Sequence, residues 1–268
     1  KPATMTPYSG LAWGKLCEDV GFPDGVVNIL TGSARAIGGA IMQSPDVRKV
    51  TFTGSTEVGK TLIRQSADTV KKVSMELGGN APFIVFDDAD LDAAIEGAMI
   101  AKYRNMGQTC VCTNRFIVQA GIHDAFVERL AEATGALVVG NGAEEGVQQG
   151  PMIDAAAVEK VETMIADAVG KGATLVTGGK RHERGGTWFQ PTVLTGATAD
   201  MMFATDEIFG PLSAVFRFDT EDEALAAANA TDFGLAAYAF TRDLGRAFRL
   251  NEGLEYGLIG INAGLITT

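Results

Sequence analysis

The chain has 268 residues, of which 46% are hydrophobic and 21% charged, a balance typical of a globular protein with a sizeable core. Its formal net charge of −11 argues against a basic surface that binds nucleic acid. No apolar run approaches the roughly 20 residues that span a bilayer, and no secretory leader is recognisable, so we expect no membrane contact and a cytoplasmic location. Three cysteines are too few for a disulfide framework.

Helical and strand-like patterns alternate over the first 80 residues. The predicted elements are, in chain order, a helix over 7–20, a strand over 26–30, a helix over 34–43, a strand over 50–53, a helix over 56–67 and a strand over 72–75. Strands that alternate with helices of this length indicate βαβ units and a parallel sheet.

The remainder of the chain continues in the same way. A buried strand over 82–86 precedes carboxylates at 87–90, which favour the start of a helix. Further strands are predicted over 116–118, 174–176, 214–218, 237–240 and 258–261, with a surface loop over 178–186. The pattern therefore predicts an α/β fold.

Two strings carry candidate chemistry. Gly107-Gln108-Thr109-Cys110-Val111-Cys112 offers a thiol in a stretch that begins with glycine, and Met75-Glu76-Leu77-Gly78-Gly79-Asn80 offers a carboxylate beside two glycines. A cysteine nucleophile with a carboxylate base suits covalent catalysis. Taken singly, Cys110 also fits a buried structural cysteine and Glu76 a solvated surface charge.

These strings, extended to Asn105, resemble the aldehyde dehydrogenase superfamily, and the resemblance runs along essentially the whole chain. It implies a parallel open sheet of a partial cofactor domain plus an α/β catalytic domain, in a chain truncated at both ends. We expect residues 1–78 to form the C-terminal half of the NAD(P)-binding domain and 79–262 the catalytic domain. Residues 263–268 would be a truncated return toward the cofactor domain.

The resemblance also implies a reaction and a cofactor. Cys110 would attack an aldehyde to give a thiohemiacetal and then a thioester, and Glu76 would activate the hydrolytic water. Burial of Glu76 would suit it to proton abstraction. The cofactor is NADP or NAD, and the residues expected to hold it are Lys1, Pro2, Ala3, Thr4, Gly54, Ser55, Leu77, Glu207 and Phe209.

Cofactor preference is inferred from the first four residues. Relatives that prefer NAD commonly carry an acidic residue where Thr4 stands, and Lys1 offers a positive charge to a 2′-phosphate. We therefore expect NADP to be accepted and even preferred. Other interpretations stay open, namely Lys1 as a frayed terminus and Ser55 as a plain helix cap.

The phrase before the nucleophile, with Arg104 six residues ahead of Cys110, is similar to the succinate-semialdehyde branch. There an arginine binds the distal carboxylate, and a guanidinium suits that task. Thr267 adds a possible hydroxyl contact. The expected substrate is succinate semialdehyde; glutarate semialdehyde or another ω-carboxylate aldehyde, or an inactive fragment of such an enzyme, are the alternatives. The full-length parent is expected to be a homo-oligomer.

The Cys-Val-Cys pair permits a redox switch. A disulfide between Cys110 and Cys112 would close a very short, strained ring, and strained bridges are the labile, regulatory kind. Cys112 as a small packing residue is the equal alternative. No metal is expected, because His123 and His182 lack the spacing of a zinc site.

Overall fold

The computed structural model describes residues 1–266. Contacts divide the chain into two compact units, Lys1–Leu77 and Gly78–Thr268. The assignment of the first unit to cofactor binding and of the second to catalysis stays a prediction.

The first unit contains three α-helices and two parallel strands, with a short 3-10 helix (Ala67–Thr69) after the third helix. They are α1 (Pro7–Asp19), α2 (Ala34–Gln43), β1 (Lys49–Thr53), α3 (Thr56–Ser66) and β2 (Lys72–Glu76). Each lies where the sequence pattern predicts it. Serine side chains cap two of the helices, since Ser33 accepts a hydrogen bond from the Ala36 N–H and Ser55 accepts one from the Val58 N–H.

The predicted strand over 26–30 is wrong. These residues form no strand, and Val26 and Val27 are exposed. A β-strand is defined by its ladder of hydrogen bonds to a neighbour. Within residues 1–77, β1 and β2 pair with each other in a two-stranded sheet that leaves the segment without a partner strand.

The second unit is built on a seven-stranded sheet. Its strands are β3 (Ala81–Val85), β4 (Thr113–Gln119), β5 (Thr174–Thr177), β6 (Thr192–Thr195), β7 (Leu212–Phe218), β8 (Ala236–Phe240) and β9 (Leu258–Ile261). Its helices are α4 (Leu91–Tyr103), α5 (His123–Gly135), α6 (Ala155–Gly170), α7 (Met202–Thr205), α8 (Glu221–Asn229) and α9 (Leu244–Gly253).

The strand order is β5-β6-β7-β4-β3-β8-β9, and every pairing is parallel except β5 with β6. The predicted α/β fold with a parallel sheet is therefore confirmed. The sequence pattern missed β6, and the loop over 178–186 lies outside helices and strands as expected.

Aromatic side chains pack together in the middle of this sheet. Phe83 of β3 lies 5.2 Å from Phe116 of β4, 5.8 Å from Tyr238 and 4.9 Å from Phe240 of β8, between ring centroids. All four are fully buried. Central strands covered on both faces need such continuous apolar runs, which explains why β3 is readable from the sequence.

Three loop segments meet at one edge of the sheet. Residues 78–80 precede β3, residues 104–112 precede β4 and residues 206–211 precede β7, and these strands are neighbours in the order β7-β4-β3. Because neighbouring parallel strands begin at the same edge, the three segments converge there. Within residues 1–266, no helix has the length and apolar character needed to cross a bilayer.

Candidate active site

The segment before β4 has a backbone that ends α4 abruptly. Asn105 (φ 53°), Met106 (φ 59°) and Gly107 (φ 72°) are three consecutive residues in the left-handed region. A Cβ on Gly107 would stand 2.2 Å from the Gly210 carbonyl oxygen, so the site requires glycine for space as well as for conformation. The chain is thereby turned out of the helix and into the turn of residues 107–112, hereafter the cysteine turn.

Hydrogen bonds inside the cysteine turn fix its shape. The Cys112 thiol lies 2.8 Å from Thr109 Oγ1 and 3.6 Å from the Lys102 carbonyl oxygen. The Gln108 side chain donates to the Asn105 carbonyl at 3.2 Å. Cys112 is buried, Cys110 is half-buried, and both are in the reduced form.

Two further elements of the sheet hold the backbone around Cys110. The Tyr238 hydroxyl of β8 donates to the Val111 carbonyl at 2.8 Å. A Cβ on Gly79 would stand 2.2 Å from the Cys110 carbonyl oxygen, so the two backbones are in direct contact at this point. Position 79 of one motif therefore requires glycine because the Cys110 backbone of the other motif lies against it.

Lys102, near the end of α4, is a buried cation beside the same turn. Its side chain is 1% exposed and its Nζ donates to the Thr113 carbonyl at 2.9 Å. Desolvation lowers the pKa of Lys102 to about 8, against the smaller opposing effects of Cys112 and Glu207. Lys102 thus contacts the turn through its carbonyl and the first residue of β4 through its ammonium group.

Glu207 lies in the segment before β7 and points toward the glycine pair. Its Oε1 accepts the Gly79 N–H at 2.8 Å, and a Cβ on Gly78 would stand 2.8 Å from its Oε2. Desolvation raises the pKa of Glu207, while the hydrogen bond from Gly79 acts in the opposite direction. A carboxylate held in this way can accept hydrogen bonds from a diol.

Sequence reasoning missed the polar side chains that hold these segments together. Asn114 donates to the Phe203 and Asp206 carbonyls, and Arg115 donates to the Asn80 side chain at 2.7 Å. The signal was present, since β4 opens with the three polar residues Thr113, Asn114 and Arg115 before its apolar run. Buried polar groups need partners, but the pattern does not say which.

Arg104 and Cys110 lie within electrostatic range of the same phenol. Burial raises the pKa of Tyr238 above its usual range; the smaller electrostatic effects of Cys112 and Cys110 add to this rise and that of Arg104 opposes it. Arg104 is exposed, and it follows the last helical residue of α4. Thr267, the other predicted substrate contact, lies outside the described residues.

The remaining cofactor candidate of the second unit is Phe209. Its φ is 52° and its side chain is 38% exposed, so the ring stands at the surface of the unit. The left-handed backbone at this non-glycine residue is a strained conformation of the kind found at ligand sites.

The first unit carries the other candidates. Lys1 Nζ lies 3.3 Å from Thr4 Oγ1, so these two side chains are brought together. A Cβ on Gly54 would stand 2.4 Å from the Phe52 ring, and Leu77 packs where a Cβ on Gly59 would be.

Glu76, the predicted base, and Ser55, a predicted cofactor residue, remain to be placed. Glu76, the last residue of β2, is exposed rather than buried as expected, because three of the other four residues of this strand are exposed too and nothing described covers its end. Ser55 caps α3, as its alternative interpretation predicts, and the cap leaves the first N–H groups of α3 at an exposed helix start. Among the described residues, no group of three or more His, Cys, Asp or Glu side chains could hold a metal ion.

Comparison with known proteins gives evidence that does not depend on the geometry of the site. The model of the aldehyde dehydrogenase family matches residues 1–268. The chain is 59% identical over 267 residues to a glutarate-semialdehyde dehydrogenase of Pseudomonas aeruginosa and 56% identical over 267 residues to an NADP(+) succinate-semialdehyde dehydrogenase of Escherichia coli K12. Each alignment covers 100% of this chain and 55% of the relative.

A solved structure agrees with these relatives. The succinate-semialdehyde dehydrogenase from Burkholderia pseudomallei superposes with a TM-score of 0.99 at 58% identity, over 100% of this chain and 55% of that one. The chain therefore spans about half the length of the proteins that it matches.

Proposed function

The chain belongs to the aldehyde dehydrogenase family, and on this basis we propose that its protein oxidises an aldehyde to a carboxylate with NADP or NAD. The observation that carries the proposal is the cysteine turn. Its backbone is fixed by Gly79 and Tyr238, and it begins three residues after the exposed Arg104. A thiol on a fixed backbone, in a turn that follows an exposed cation, suits a covalent reaction on an anionic substrate.

The reaction follows from the groups present. The Cys110 thiolate attacks the aldehyde carbon and forms a C–S bond, and the carbonyl oxygen takes up a proton to give a thiohemiacetal. NAD(P), when bound, would supply the hydride acceptor. The thiohemiacetal carbon gives up a hydride and its hydroxyl gives up a proton, which leaves a thioester on Cys110. Glu76 removes a proton from water, which attacks the thioester carbon. The C–S bond then breaks, and the carboxylate and the thiol are released.

Residues of each unit, taken by itself, suit separate parts of a dinucleotide. The start of α3 behind Ser55 offers N–H groups and a positive dipole end to a pyrophosphate. The Glu207 carboxylate suits a ribose diol, and the paired Lys1 ammonium and Thr4 hydroxyl suit a 2′-phosphate. We therefore keep the expectation that NADP is preferred. A kcat/KM that is much higher with NAD than with NADP contradicts it.

The substrate we propose is succinate semialdehyde. An exposed guanidinium at Arg104 supports recognition of a carboxylate distal to the aldehyde. Glutarate semialdehyde is the second candidate, because one of the relatives is named for it. The cytoplasmic location and the homo-oligomeric parent stay predictions.

The test compares an acidic and an apolar aldehyde of similar length. Two proteins are assayed with succinate semialdehyde and with butanal. One is the 268-residue chain alone. The other is a chimera in which these residues replace the matching segment of the Escherichia coli relative. We expect Cys110→Ala to abolish NADPH production. Arg104→Ala should raise KM for the semialdehyde about 10-fold or more without changing KM for butanal, since a charge-assisted hydrogen bond is worth roughly 1.5–3 kcal/mol.

Arg129→Ala is the matched control, because Arg129 of α5 pairs at the surface with Asp92. An Arg104→Ala variant with unchanged KM for the semialdehyde contradicts the substrate assignment. Activity that survives Cys110→Ala contradicts the dehydrogenase mechanism itself.

We also propose that Cys110 and Cys112 form a reversible disulfide under peroxide. Each thiol loses one hydrogen, the S–S bond forms, and peroxide is reduced to two molecules of water. Cys112 would have to leave its contact with Thr109 to do so. Loss of activity under peroxide, with recovery after a thiol reductant, supports the switch. The Cys112→Ser variant should be inactivated without recovery, because Cys110 then proceeds to higher oxides.

A further inference from the structure

Asn114, the second residue of β4, holds the main chain on both sides of Glu207. Its Oδ1 accepts the Ile208 N–H at 2.7 Å, and its Nδ2 donates to the Asp206 carbonyl at 3.0 Å and to the Phe203 carbonyl at 2.9 Å. The residue before Glu207 and the residue after it are therefore fixed by one side-chain amide. Asn114 is 3% exposed, so water does not replace these bonds easily.

The Glu207 carboxylate is fixed separately, at its far end. The Gly79 N–H donates to Oε1 from the segment before β3. The main chain of Glu207 is thus held from β4 and its carboxylate from the entrance to β3. These two strands are direct neighbours, so the relative position of both anchors is set by the sheet.

A second set of hydrogen bonds runs from β4 to the segment before β3 and on to α7. Arg115, the next residue of β4, donates to Asn80 Oδ1 at 2.7 Å, and Asn80 Nδ2 donates to the Ala204 carbonyl at 3.3 Å. Successive side chains of a strand point to opposite faces. Of the two side chains, Asn114 is the one that contacts the residues next to Glu207.

We propose that Asn114 is a positioning residue that aims the Glu207 carboxylate at the ribose diol of the dinucleotide. The inference rests on the proposed function, in which Glu207 binds that ribose. Asn114 does not touch the ligand. It acts by restricting the Glu207 main chain, so that a long, flexible side chain presents its carboxylate in one direction before the ligand arrives.

The experiment measures dinucleotide binding and amide exchange in the 268-residue chain. The variants are Asn114→Ala and Asn114→Asp, each made also in a Glu207→Gln background. Asn114→Asp keeps the oxygen that accepts the Ile208 N–H and loses the two N–H donors of the amide. It replaces Asn114→Ala in the experiment if the alanine variant does not fold. Asn229→Ala is the matched control, because Asn229 makes the same kind of clamp on Gly253 and Glu255.

We expect Asn114→Ala to raise the Kd for NADP about tenfold and Asn229→Ala to leave it within twofold. In the Glu207→Gln background the effect of Asn114→Ala should disappear, which a merely structural role would not produce. A Kd that is unchanged, or that rises equally in both backgrounds, overturns the inference.

Hydrogen exchange separates this inference from the proposed function. If Asn114 aims Glu207, the Gly79 amide should exchange at least tenfold faster in Asn114→Ala, because its carboxylate acceptor moves away. A wild-type chain that binds no dinucleotide contradicts the proposed function and leaves the Gly79 rate to decide the inference. An unchanged Gly79 rate then overturns it.

Discussion

Adding one methyl group at Gly79 tests the link between the two motifs. The new Cβ would lie 2.2 Å from the Cys110 carbonyl oxygen, whereas ordinary contact begins near 3.4 Å. The two backbones must therefore separate by about 1.2 Å, and neither is a flexible side-chain end. A misplacement of about 1 Å costs roughly 100-fold in rate, and overpacking costs about 1–3 kcal/mol of stability.

The assay combines turnover with a measurement that needs no cofactor. For Gly79→Ala we expect kcat/KM to fall about 100-fold, and the rate of Cys110 alkylation by iodoacetamide to change. The urea midpoint should also fall. Gly170→Ala, at the end of α6, is the control, since a Cβ there meets nothing within 4 Å. If Gly79→Ala and Gly170→Ala behave alike in all three measurements, the contact argument is refuted.

Two further predictions concern buried groups of the second unit. Tyr238→Phe leaves the Val111 carbonyl unsatisfied and should cost about 1–3 kcal/mol in urea unfolding, while Tyr8→Phe, at an 84% exposed residue, should cost nothing; equal midpoints contradict this. The pKa of Lys102 is about 8 in the folded chain and 10.5 ordinarily, so between these pH values the unfolded chain binds a proton that the folded chain has released. The contribution of Lys102 to the free energy of unfolding therefore rises with pH by up to about 3 kcal/mol. The stability advantage of wild type over Lys102→Met should grow from pH 8 to 10.5, and a flat or falling difference contradicts the assignment.

Most helices and strands are predicted from the sequence because their signals lie within a few consecutive residues. α3 begins after Ser55, and α4 begins after Asp90, whose side chain accepts the Ala93 N–H; both starts are visible in a few consecutive residues. β6 was missed because it directly follows Pro191, and a proline is depleted in strands. The segment 26–30 has a strand composition but no partner, and pairing is a tertiary property.

The residues of the candidate site likewise fall into those that the sequence predicts and those that it does not. Cys110 and Glu207 were predicted from strings that resemble a family, and their roles stay predictions. Their supports were not predicted, because Tyr238 reaches the Val111 carbonyl across 127 positions and Glu207 reaches Gly79 across 128. No periodicity relates residues at such separations.

The left-handed run at 105–107 has a consequence for the geometry around Cys110 while the chain folds. Two of its residues are not glycine, and each costs on the order of 1–3 kcal/mol in that conformation. The close approach to Gly210 that accompanies the run comes from the segment before β7, about a hundred residues further along the chain. The cysteine turn therefore depends on a contact between segments that lie far apart in the chain. We expect a partly folded copy, in which this contact is missing, to hold Cys110 without the geometry of the folded turn.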